Sequence, residues 1–440
     1  FDIANARRFG YPEQWIRTLG GRILEFHCKD YRMSVDNING FTNLLDGDVN
    51  YPAVMAAIRD IGFDGDLIVE LIPPAHHLVE RTLRHALETL RELCQMNGRN
   101  RMKKYGVMIV GTGWVSGEHI RAFEMTERAQ VTAIVSRSRE KGEAKMREYG
   151  LEGRCKVYTD YQEGLKDPNV DIVVICTPND MHCEQTILAA EAGKHILIEK
   201  PVALTWEDTK RMDEAVRKAG VKTLVGYVLH YNPLFVTAKK IQKDFIGELK
   251  YAETDYFHRV MGDIPCYQWT CKKSVGGSSL LAGGCHAVDA MRWFMQDEVV
   301  SVYAQSSKMR TDLEFDGTIS IILKFKNGAV GKVGSSYDFI SPYVFNLHLC
   351  GTKGTLWNEK LWSPGQITEQ RDYMELPVLT PNSGDVKHHP FPEEAAHFLD
   401  CIIHDRETDC PMSDAVKTQE IVFAADLSAA TGEVVHLPLK

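Results

Sequence analysis

A glycine-rich turn is the first segment of this sequence whose residue types suggest chemistry. It directly follows the apolar stretch Tyr105–Val110 and opens a pattern typical of a helix. Glycines in such a turn let backbone amides approach a pyrophosphate, whose negative charge is favoured at a helix N-terminus. By itself a Gly-x-Gly pair is equally well explained as a tight turn, so its interpretation depends on the surrounding elements. The candidate dinucleotide contacts in this turn are Gly111, Gly113, Trp114, Val115 and Ser116.

The surrounding elements alternate strand and helix with unusual regularity. Apolar runs predict strands at residues 105–110, 131–135, 171–176, 195–199 and 222–226. Helical patterns lie between them, near residues 117–126, 138–149, 181–192 and 206–219. Parallel strands need crossover helices of this length. The pattern predicts a Rossmann domain, which is a doubly wound parallel sheet, and a simple turn no longer suffices to explain the glycines.

Two further regions flank this domain. Residues 1–97 alternate short apolar runs with helical patterns, and residues 98–103 form a polar linker. From residue 227 onward alternating strand patterns dominate, and Asn327-Gly328 is a hairpin signal between two of them. The predicted fold class is therefore α/β. It comprises an N-terminal region, a Rossmann domain at 104–226, and an α+β open-sheet domain at 227–440.

The end of the second predicted strand indicates which dinucleotide would bind. An NAD enzyme usually places a carboxylate there to hold the ribose 2′-hydroxyl, but this sequence has Ser136, Arg137 and Ser138. Serine hydroxyls and a guanidinium suit a 2′-phosphate. A surface arginine beside a helix-capping serine is the alternative explanation. The stretch favours NADP over NAD by a small margin.

Composition excludes several other classes of protein. The 440 residues are 44% apolar and 25% charged, which is typical of globular proteins. A net charge of −9, without a basic stripe, argues against nucleic-acid binding. No apolar run approaches the ~20 residues of a membrane span. The 11 cysteines are scattered without a Cys-x-x-Cys pair, which favours free thiols in the cytoplasm.

Several motifs together resemble one known family. Besides the glycine turn they are the segment from Asp171 to His182, Glu199-Lys200-Pro201, Gly284-Cys285-His286-Ala287-Val288-Asp289 and Val435-His436-Leu437-Pro438. In combination they resemble the glucose–fructose oxidoreductase/inositol dehydrogenase (Gfo/Idh/MocA) family over residues 103–440. The resemblance implies a nicotinamide cofactor, an open-sheet domain whose face holds the substrate, and a homo-oligomer.

The resemblance also implies roles for individual residues. Lys200 would sit at the nicotinamide and touch the substrate hydroxyl, and His286 would be the acid/base. The residues implied to line the dinucleotide near its nicotinamide end are Thr177, Pro178, Asn179, His182 and Glu199.

The chemistry of these residue types supports the two central roles independently. Oxidation of an alcohol needs a group that takes the hydroxyl proton while hydride leaves, and histidine, with an ordinary pKa of about 6.5, suits that task. A lysine at the carboxyl end of a strand can polarise the same oxygen. The alternative for Lys200 is a lysine exposed to solvent at the end of a strand. The alternative for His286 is a histidine near a helix N-terminus whose hydrogen bonds are all made within the protein. Each of these alone would be a common finding.

The sequence departs from the family pattern at two positions. Inositol dehydrogenase-like members carry an aspartate four residues before the histidine, and here that position is Ala282. Asp289 is the proposed replacement partner for His286. An arginine common in the family is replaced by His230, so His230 and Tyr231 are candidate substrate contacts, with core packing as an equal alternative. The tandem histidines His76-His77 and His388-His389 are interpreted as surface residues.

The first hundred residues resemble the end of a xylose isomerase-like sugar epimerase barrel. The similar segments include Phe1-Asp2, His27-Cys28-Lys29-Asp30 and the run ending at Val69-Glu70. In that family a divalent metal is held by acidic and imidazole side chains, and Asp2, His27 and Glu70 match three of its ligands. A fourth ligand and about five of the barrel's eight strands lie outside this sequence. We therefore expect a partial (β/α) barrel that would bind metal only if it were complete.

The sequence therefore predicts an NAD(P)-dependent dehydrogenase that acts on a secondary hydroxyl of a sugar, sugar derivative or inositol. A carbohydrate or cyclitol would be its partner, with neither nucleic acid nor membrane. Two alternatives stay open. One is redox-assisted elimination or glycoside cleavage with tightly bound NAD, and the other is a non-catalytic cofactor-sensing protein on the same fold.

Overall fold

The computed structural model describes residues 1–35, 37–70, 86–91, 93–94, 104–126, 128–260, 262, 267–378 and 389–439. The chain forms two compact units, Phe1–Lys103 and Lys104–Lys440. The predicted linker and part of the N-terminal region predicted at 1–97 lie outside the described residues. Among the described residues, no helix combines the length and apolar character needed to cross a membrane.

The first unit contains a small parallel β–α–β arrangement. Strands β1 (Glu25–Cys28) and β4 (Asp66–Val69) pair in parallel, and α3 (Tyr51–Asp60) lies between them in the chain. Asp2 forms a parallel bridge with His27, which adds a third segment beside β1. The other elements are α1 (Ile3–Phe9), α2 (Pro12–Leu19), β2 (Asp30–Tyr31) and β3 (Phe41–Thr42).

The second unit begins with a six-stranded parallel sheet. Its strands are β5 (Tyr105–Val110), β6 (Ala129–Val135), β7 (Lys156–Tyr158), β8 (Ile172–Ile175), β9 (His195–Ile198) and β10 (Thr223–Val225), in the order β10-β9-β8-β5-β6-β7. Its helices are α4 (Trp114–Met125), α5 (Arg139–Glu148), α6 (Tyr161–Leu165), α7 (His182–Glu191) and α8 (Trp206–Ala219). The central strands are buried along their length because helices cover both faces. The Rossmann fold is confirmed, and sequence analysis missed only the short edge strand β7 and α6.

The remainder of the second unit is built on a nine-stranded mixed sheet. The strands of this sheet are β11 (Leu249–Phe257), β12 (Val299–Ser307), β13 (Thr318–Phe325), β14 (Val330–Ser336), β15 (Val344–Gly351), β16 (Thr355–Trp357), β17 (Lys360–Trp362), β18 (Met374–Glu375) and β19 (Val435–His436). Their order is β18-β17-β16-β15-β11-β14-β13-β12-β19, and only the β11–β14 pair is parallel. The helices of this region are α9 (Pro233–Ile241), α10 (Tyr267–Thr270), α11 (Lys273–Gly276), α12 (Cys285–Met295), α13 (Phe391–Ile403) and α14 (Met412–Thr431).

Hydrogen bonds join the two sheets of the second unit through the segment that precedes α14. The amide of Val225 on β10 donates to the Cys410 carbonyl at 2.9 Å, and the Met412 amide donates to the Thr223 hydroxyl at 2.9 Å. One apolar core continues from the Rossmann strands to α12 and α14. The second unit therefore positions residues from both sheets as one body.

Gly106 is a position where the Rossmann core leaves no room for a side chain. A Cβ atom there would overlap the backbone carbonyl of Asn169 and lie 2.9 Å from the Thr132 hydroxyl. We expect Gly106→Ala to destabilise the protein by about 1–3 kcal/mol, because a backbone group cannot move aside as a flexible side chain can. The midpoint of thermal unfolding measures this effect. Gly365→Ala, where a Cβ would meet no atom within 4 Å, is the matched control and should leave the midpoint unchanged.

Candidate active site

The glycine turn has the geometry that pyrophosphate binding requires. Gly111 has φ of +109°, and a Cβ atom there would lie 2.7 Å from the Cys176 carbonyl oxygen. Gly113 caps α4, and a Cβ on it would meet nothing within 4 Å. The first glycine therefore permits the turn, and the second leaves space in front of the first amides of α4. Ser116 is buried and donates to the Gly113 carbonyl at 2.5 Å, which fixes the turn from behind.

The tip of β6 presents one exposed cation. Arg137 is exposed, whereas the Ser136 hydroxyl accepts from the Ser138 amide at 3.3 Å, and the Ser138 hydroxyl caps α5 by accepting from the Lys141 amide at 3.3 Å. Both serine hydroxyls therefore already accept hydrogen bonds from nearby backbone amides. Discrimination of a 2′-phosphate at this tip would depend mainly on Arg137.

Lys200 lies at the carboxyl end of β9 and reaches toward the second sheet. Its ammonium donates to the backbone carbonyl of Ala282 at 3.1 Å. Ala282 lies in the π-helical turn Leu280–Gly284, which leads directly into α12 and His286. The carbonyl of Ala282, four residues before His286, therefore anchors the lysine.

Glu199 holds Lys200 from the Rossmann side. One carboxylate oxygen lies 2.7 Å from Nε2 of His119 on α4, and the other accepts from the Lys200 amide at 3.2 Å. Burial alone would raise the pKa of Glu199, but the hydrogen bond and charge of His119, together with Lys200, hold it below its usual value. Since both oxygens have partners within the protein, Glu199 positions Lys200, and its contact with the cofactor stays a prediction.

Most of the residues predicted to line the nicotinamide end of the cofactor make hydrogen bonds within the protein. Asn179 donates to the Val275 carbonyl at 2.9 Å, which ties the end of β8 to the second domain. The ring nitrogens of the fully buried His182 lie 2.8 Å from the Pro201 carbonyl oxygen and 3.0 Å from that of Thr177. The Thr177 hydroxyl donates to Gln185 at 2.6 Å, and Pro178 precedes the short 3₁₀ turn Asn179–Met181. Asn179 and His182 therefore shape the loop, and the cofactor contacts expected of them stay predictions.

His286 is a buried imidazole with a free nitrogen. It is 1% exposed, and its Nδ1 has no hydrogen-bond partner within the described part of the chain. Burial, and then the charge of Lys200, hold the pKa of His286 well below its usual value. The ring is therefore neutral near pH 7 and can accept a proton. This state is the one that a general base for alcohol oxidation needs.

Aromatic and histidine rings surround His286. Tyr256 on β11 stacks with the imidazole at 6.0 Å between ring centres, and Phe345 on β15 and His389 lie at 5.9 and 6.4 Å. His389 also lies 3.0 Å from the Tyr343 hydroxyl. The interpretation of His389 as a surface residue is therefore wrong, because it joins the site from a hundred residues away. His76, His77 and His388 lie outside the described residues.

The structure separates three predicted site residues from the His286 nitrogen. Asp289 faces away from His286: its carboxylate lies 2.8 Å from Nε2 of His230 and accepts from the Thr418 hydroxyl at 3.1 Å. His230 is 5% exposed and stacks on Trp293 at 4.2 Å. Asp289 is thus paired with His230 rather than with His286, and these contacts favour the core-packing alternative for His230, whose substrate role stays a prediction. The Tyr231 hydroxyl is also buried and has no partner among the described residues, so its substrate role stays a prediction.

The predicted metal ligands of the first unit do come together, but a lysine lies between them. Ligand atoms of Asp2, His27 and Glu70 all lie within 4.8 Å of one another. The Lys29 ammonium lies 3.1 Å from Asp2 and 2.8 Å from Glu70, with its side chain 9% exposed. Burial alone would lower the pKa of Lys29, but its hydrogen bonds with Glu70 and Asp2 hold it above its usual value. The three residues therefore do not fit a divalent cation in this arrangement, and the barrel origin of the unit stays a prediction.

Comparison with known proteins agrees with this geometry in the second unit. The family model for the NAD-binding Rossmann fold of the Gfo/Idh/MocA oxidoreductases matches residues 105–227, and that for the Gfo/Idh/MocA C-terminal domain matches residues 236–357. A 1,5-anhydro-D-fructose reductase from Ensifer adhaerens is 30% identical over 264 residues, which cover 58% of this chain and 75% of that protein. A myo-inositol 2-dehydrogenase from Thermotoga maritima is 29% identical over 260 residues, with the same two coverages of 58% and 75%.

A solved structure shows the same architecture. The aldose-aldose oxidoreductase from Caulobacter crescentus, complexed with glycerol, has 27% sequence identity and a TM-score of 0.64, and covers 76% of this chain and 100% of its own. Fold, glycine turn and matched domains together define an NAD(P)-dependent oxidoreductase. The chain belongs to the Gfo/Idh/MocA family.

The position of Lys29 predicts how the first unit responds to metals. We expect no measurable Mn²⁺ binding to the wild-type chain, because the ammonium already compensates the two carboxylates. Lys29→Met should create a binding site, since two carboxylates and an imidazole are suitable ligands. Titration calorimetry with Mn²⁺ measures both. Lys29→Arg, which keeps the charge, is the control and should not bind, and stoichiometric Mn²⁺ binding by the wild type would contradict the interpretation.

Proposed function

We propose that this protein oxidises a secondary hydroxyl of a neutral sugar, sugar derivative or inositol, with NADP⁺ or NAD⁺ as the hydride acceptor. The observation that carries this proposal is the buried His286, whose Nδ1 has no hydrogen-bond partner among the described residues. Burial, and then the charge of Lys200, lower the pKa of this imidazole. A neutral base and a fixed cation are the two groups that alcohol oxidation needs.

The residues divide the work between them. We assign the acceptance of the hydroxyl proton to Nδ1 of His286, because that atom has no hydrogen-bond partner within the described part of the chain. Lys200, anchored by Glu199 and Ala282, polarises the hydroxyl oxygen and stabilises the negative charge that develops on it. The surrounding aromatic rings exclude water, which strengthens both interactions. The nicotinamide ring, when bound at the glycine turn, accepts the hydride.

The wall around His286 supports a neutral ring as the substrate. Tyr256, Tyr343 and Phe345 offer flat apolar surface against which the C–H face of a pyranose or cyclitol can pack. A histidine accompanies them, since His258 stacks on Tyr343 at 4.2 Å. The names of the two relatives, a myo-inositol dehydrogenase and an anhydrofructose reductase, agree with this substrate class.

We also propose a cytoplasmic homo-oligomer that assembles through the second sheet. Across the sheet face opposite α12 runs a row formed by Trp357, His348, Glu253, Lys332, Ile322 and Tyr303. Three of these are large and exposed, with Trp357 at 53%, Ile322 at 48% and Tyr303 at 39%. A second copy would cover them. The ten cysteines that the structure describes form no disulfide with one another, which agrees with a reducing compartment.

Substitution of the two central residues tests the proposed chemistry. Lys200→Ala and His286→Ala should each lower kcat/KM by about 10²–10⁴-fold on the best substrate, as loss of acid–base groups does. Absorbance of the reduced nicotinamide, followed across a panel of sugars, glycosides and inositols, measures the rate. Lys210→Ala and His404→Ala, at solvent-accessible positions, are the controls.

The pH profile of the same reaction adds a second criterion. Because the neutral form of His286 is the base and its pKa lies well below 6.5, kcat/KM for oxidation should stay constant as pH falls through 6.5 and decline only below it.

Full activity of both alanine variants, Lys200→Ala and His286→Ala, would contradict the proposed site. Cofactor that co-purifies tightly without net turnover would favour redox-assisted elimination instead.

Arg137 should determine the preference between the two dinucleotides. Arg137→Asp should weaken NADP⁺ binding about ten- to hundredfold, since a hydrogen bond to a charged group contributes about 1.5–3 kcal/mol. It should strengthen NAD⁺ binding, because a carboxylate at this tip accepts from the 2′-hydroxyl. Dissociation constants from titration calorimetry measure both effects. Arg139→Asp, at the next exposed arginine, is the control, and an unchanged NADP⁺ affinity in Arg137→Asp would show that the enzyme does not read the 2′-phosphate here.

A further inference from the structure

His119 is a buried histidine to which the proposed mechanism gives no role. It lies in the second turn of α4, the helix that the glycine turn opens, and is 0% exposed. Its Nε2 lies 2.7 Å from a carboxylate oxygen of Glu199, and its Nδ1 has no hydrogen-bond partner among the described residues. Because an ionised carboxylate can only accept hydrogen bonds, the imidazole carries its proton on Nε2 and donates it to Glu199.

Glu199 connects this histidine to Lys200. The second oxygen of the carboxylate accepts from the Lys200 amide at 3.2 Å, and at the other end of the lysine the ammonium donates to the Ala282 carbonyl at 3.1 Å. Loss of the His119 donor would leave one Glu199 oxygen buried and unpaired. The carboxylate would then turn to another donor or take up a proton, since an unpaired buried charge is strongly unfavourable. Either change would release the backbone of Lys200.

The other groups that face Glu199 do not replace this donor. His182 of α7 faces it, but both of its ring nitrogens already contact backbone carbonyl oxygens. Cys176 faces it from the end of β8 and Glu394 from the first turn of α13, and neither side chain carries a positive charge. Both Glu394 oxygens lack a hydrogen-bond partner among the described residues. Within the described part of the chain, His119 is therefore the side chain that donates to Glu199.

We propose that His119 is a positioning residue for alcohol oxidation: by donating to Glu199 it keeps that carboxylate on the Lys200 amide, and so holds the ammonium beside the substrate hydroxyl. The inference rests on the proposed function, because it takes the polarisation of that hydroxyl by Lys200 as given. His119 acts only through Glu199 and Lys200. Since the lysine stabilises charge that develops in the transition state, loss of His119 should lower kcat more than it raises KM.

The first experiment compares two replacements of His119. His119→Leu removes the donor and should lower kcat about ten- to hundredfold with little change in KM, because a small displacement at the reacting atoms has a cost of this size. His119→Gln places an amide N–H near the position of the imidazole Nε2 and should restore most of the loss. Ile120→Val, at the fully buried neighbouring position of α4, is the control for lost packing and should keep the wild-type kcat.

Thermal unfolding of each variant checks that the fold is retained. His119→Asn, whose shorter amide does not reach Glu199, takes the place of His119→Leu if that variant does not fold. An unchanged kcat in the folded variant that lacks the donor would overturn the proposal.

The pH profile gives a readout that lost packing alone would not move. Burial raises the pKa of Glu199, but the hydrogen bond and charge of His119 bring it below its usual value. Without His119 this pKa should rise, so that Glu199 becomes protonated, and releases Lys200, at a higher pH. As pH falls, kcat/KM of His119→Leu should therefore begin to decline at a higher pH than that of the wild type or Ile120→Val. Coincident profiles would overturn the proposal.

The last experiment needs neither cofactor nor substrate. In the full chain labelled with ¹⁵N-lysine, the NMR signal of the Lys200 amide is assigned by its absence from Lys200→Arg. This signal should shift in His119→Leu, return toward its wild-type position in His119→Gln and stay in place in Ile120→Val. An unmoved signal in His119→Leu would overturn the positioning whatever the activity is. The expected shift in a chain that oxidises no compound of the substrate panel would support the positioning of Lys200 and contradict the proposed function alone.

Discussion

The interaction on which the site depends is the buried contact between His119 and Glu199. His119 belongs to α4, the helix that the glycine turn opens, and Glu199 immediately precedes Lys200 at the end of β9. Their 2.7 Å contact therefore ties the helix that follows the glycine turn to the segment that carries Lys200. Because both side chains are buried, the contact is little weakened by water, and removal of either partner would leave the other as an unpaired buried polar group. This pair fixes the backbone of Lys200, because the Lys200 amide donates to Glu199.

The second sheet completes the site by supplying what the Rossmann domain lacks. The Ala282 carbonyl accepts from Lys200, and α12 presents His286 one turn further on. A backbone carbonyl thus anchors the lysine. Asp289 is meanwhile used for a structural purpose, since it joins His230 to Thr418 of α14 and fixes α12 against its neighbours.

The first unit shows how one residue can change the meaning of a motif. Asp2, His27 and Glu70 converge because three neighbouring parallel segments end at the same edge, as sequence analysis expected. Lys29 follows His27 by two residues on the same chain segment, and its ammonium lies between the two acids. One internal positive charge therefore satisfies carboxylates that would otherwise suit a metal ion.

The amino-acid sequence by itself determined the Rossmann order of elements, the glycine turn and the identities of Lys200 and His286. These features follow from local regularities: the apolar period of parallel strands, the glycine requirement of Gly111, and a short motif at the end of β9. Partners distant in sequence were decided only by tertiary structure. Asp289 lies one helical turn from His286 yet contacts His230, and His389 reaches the site although its neighbours in sequence gave no signal. The orientation of a side chain across a helix depends on what packs against it. That packing is set by the folded chain as a whole, which no local pattern encodes.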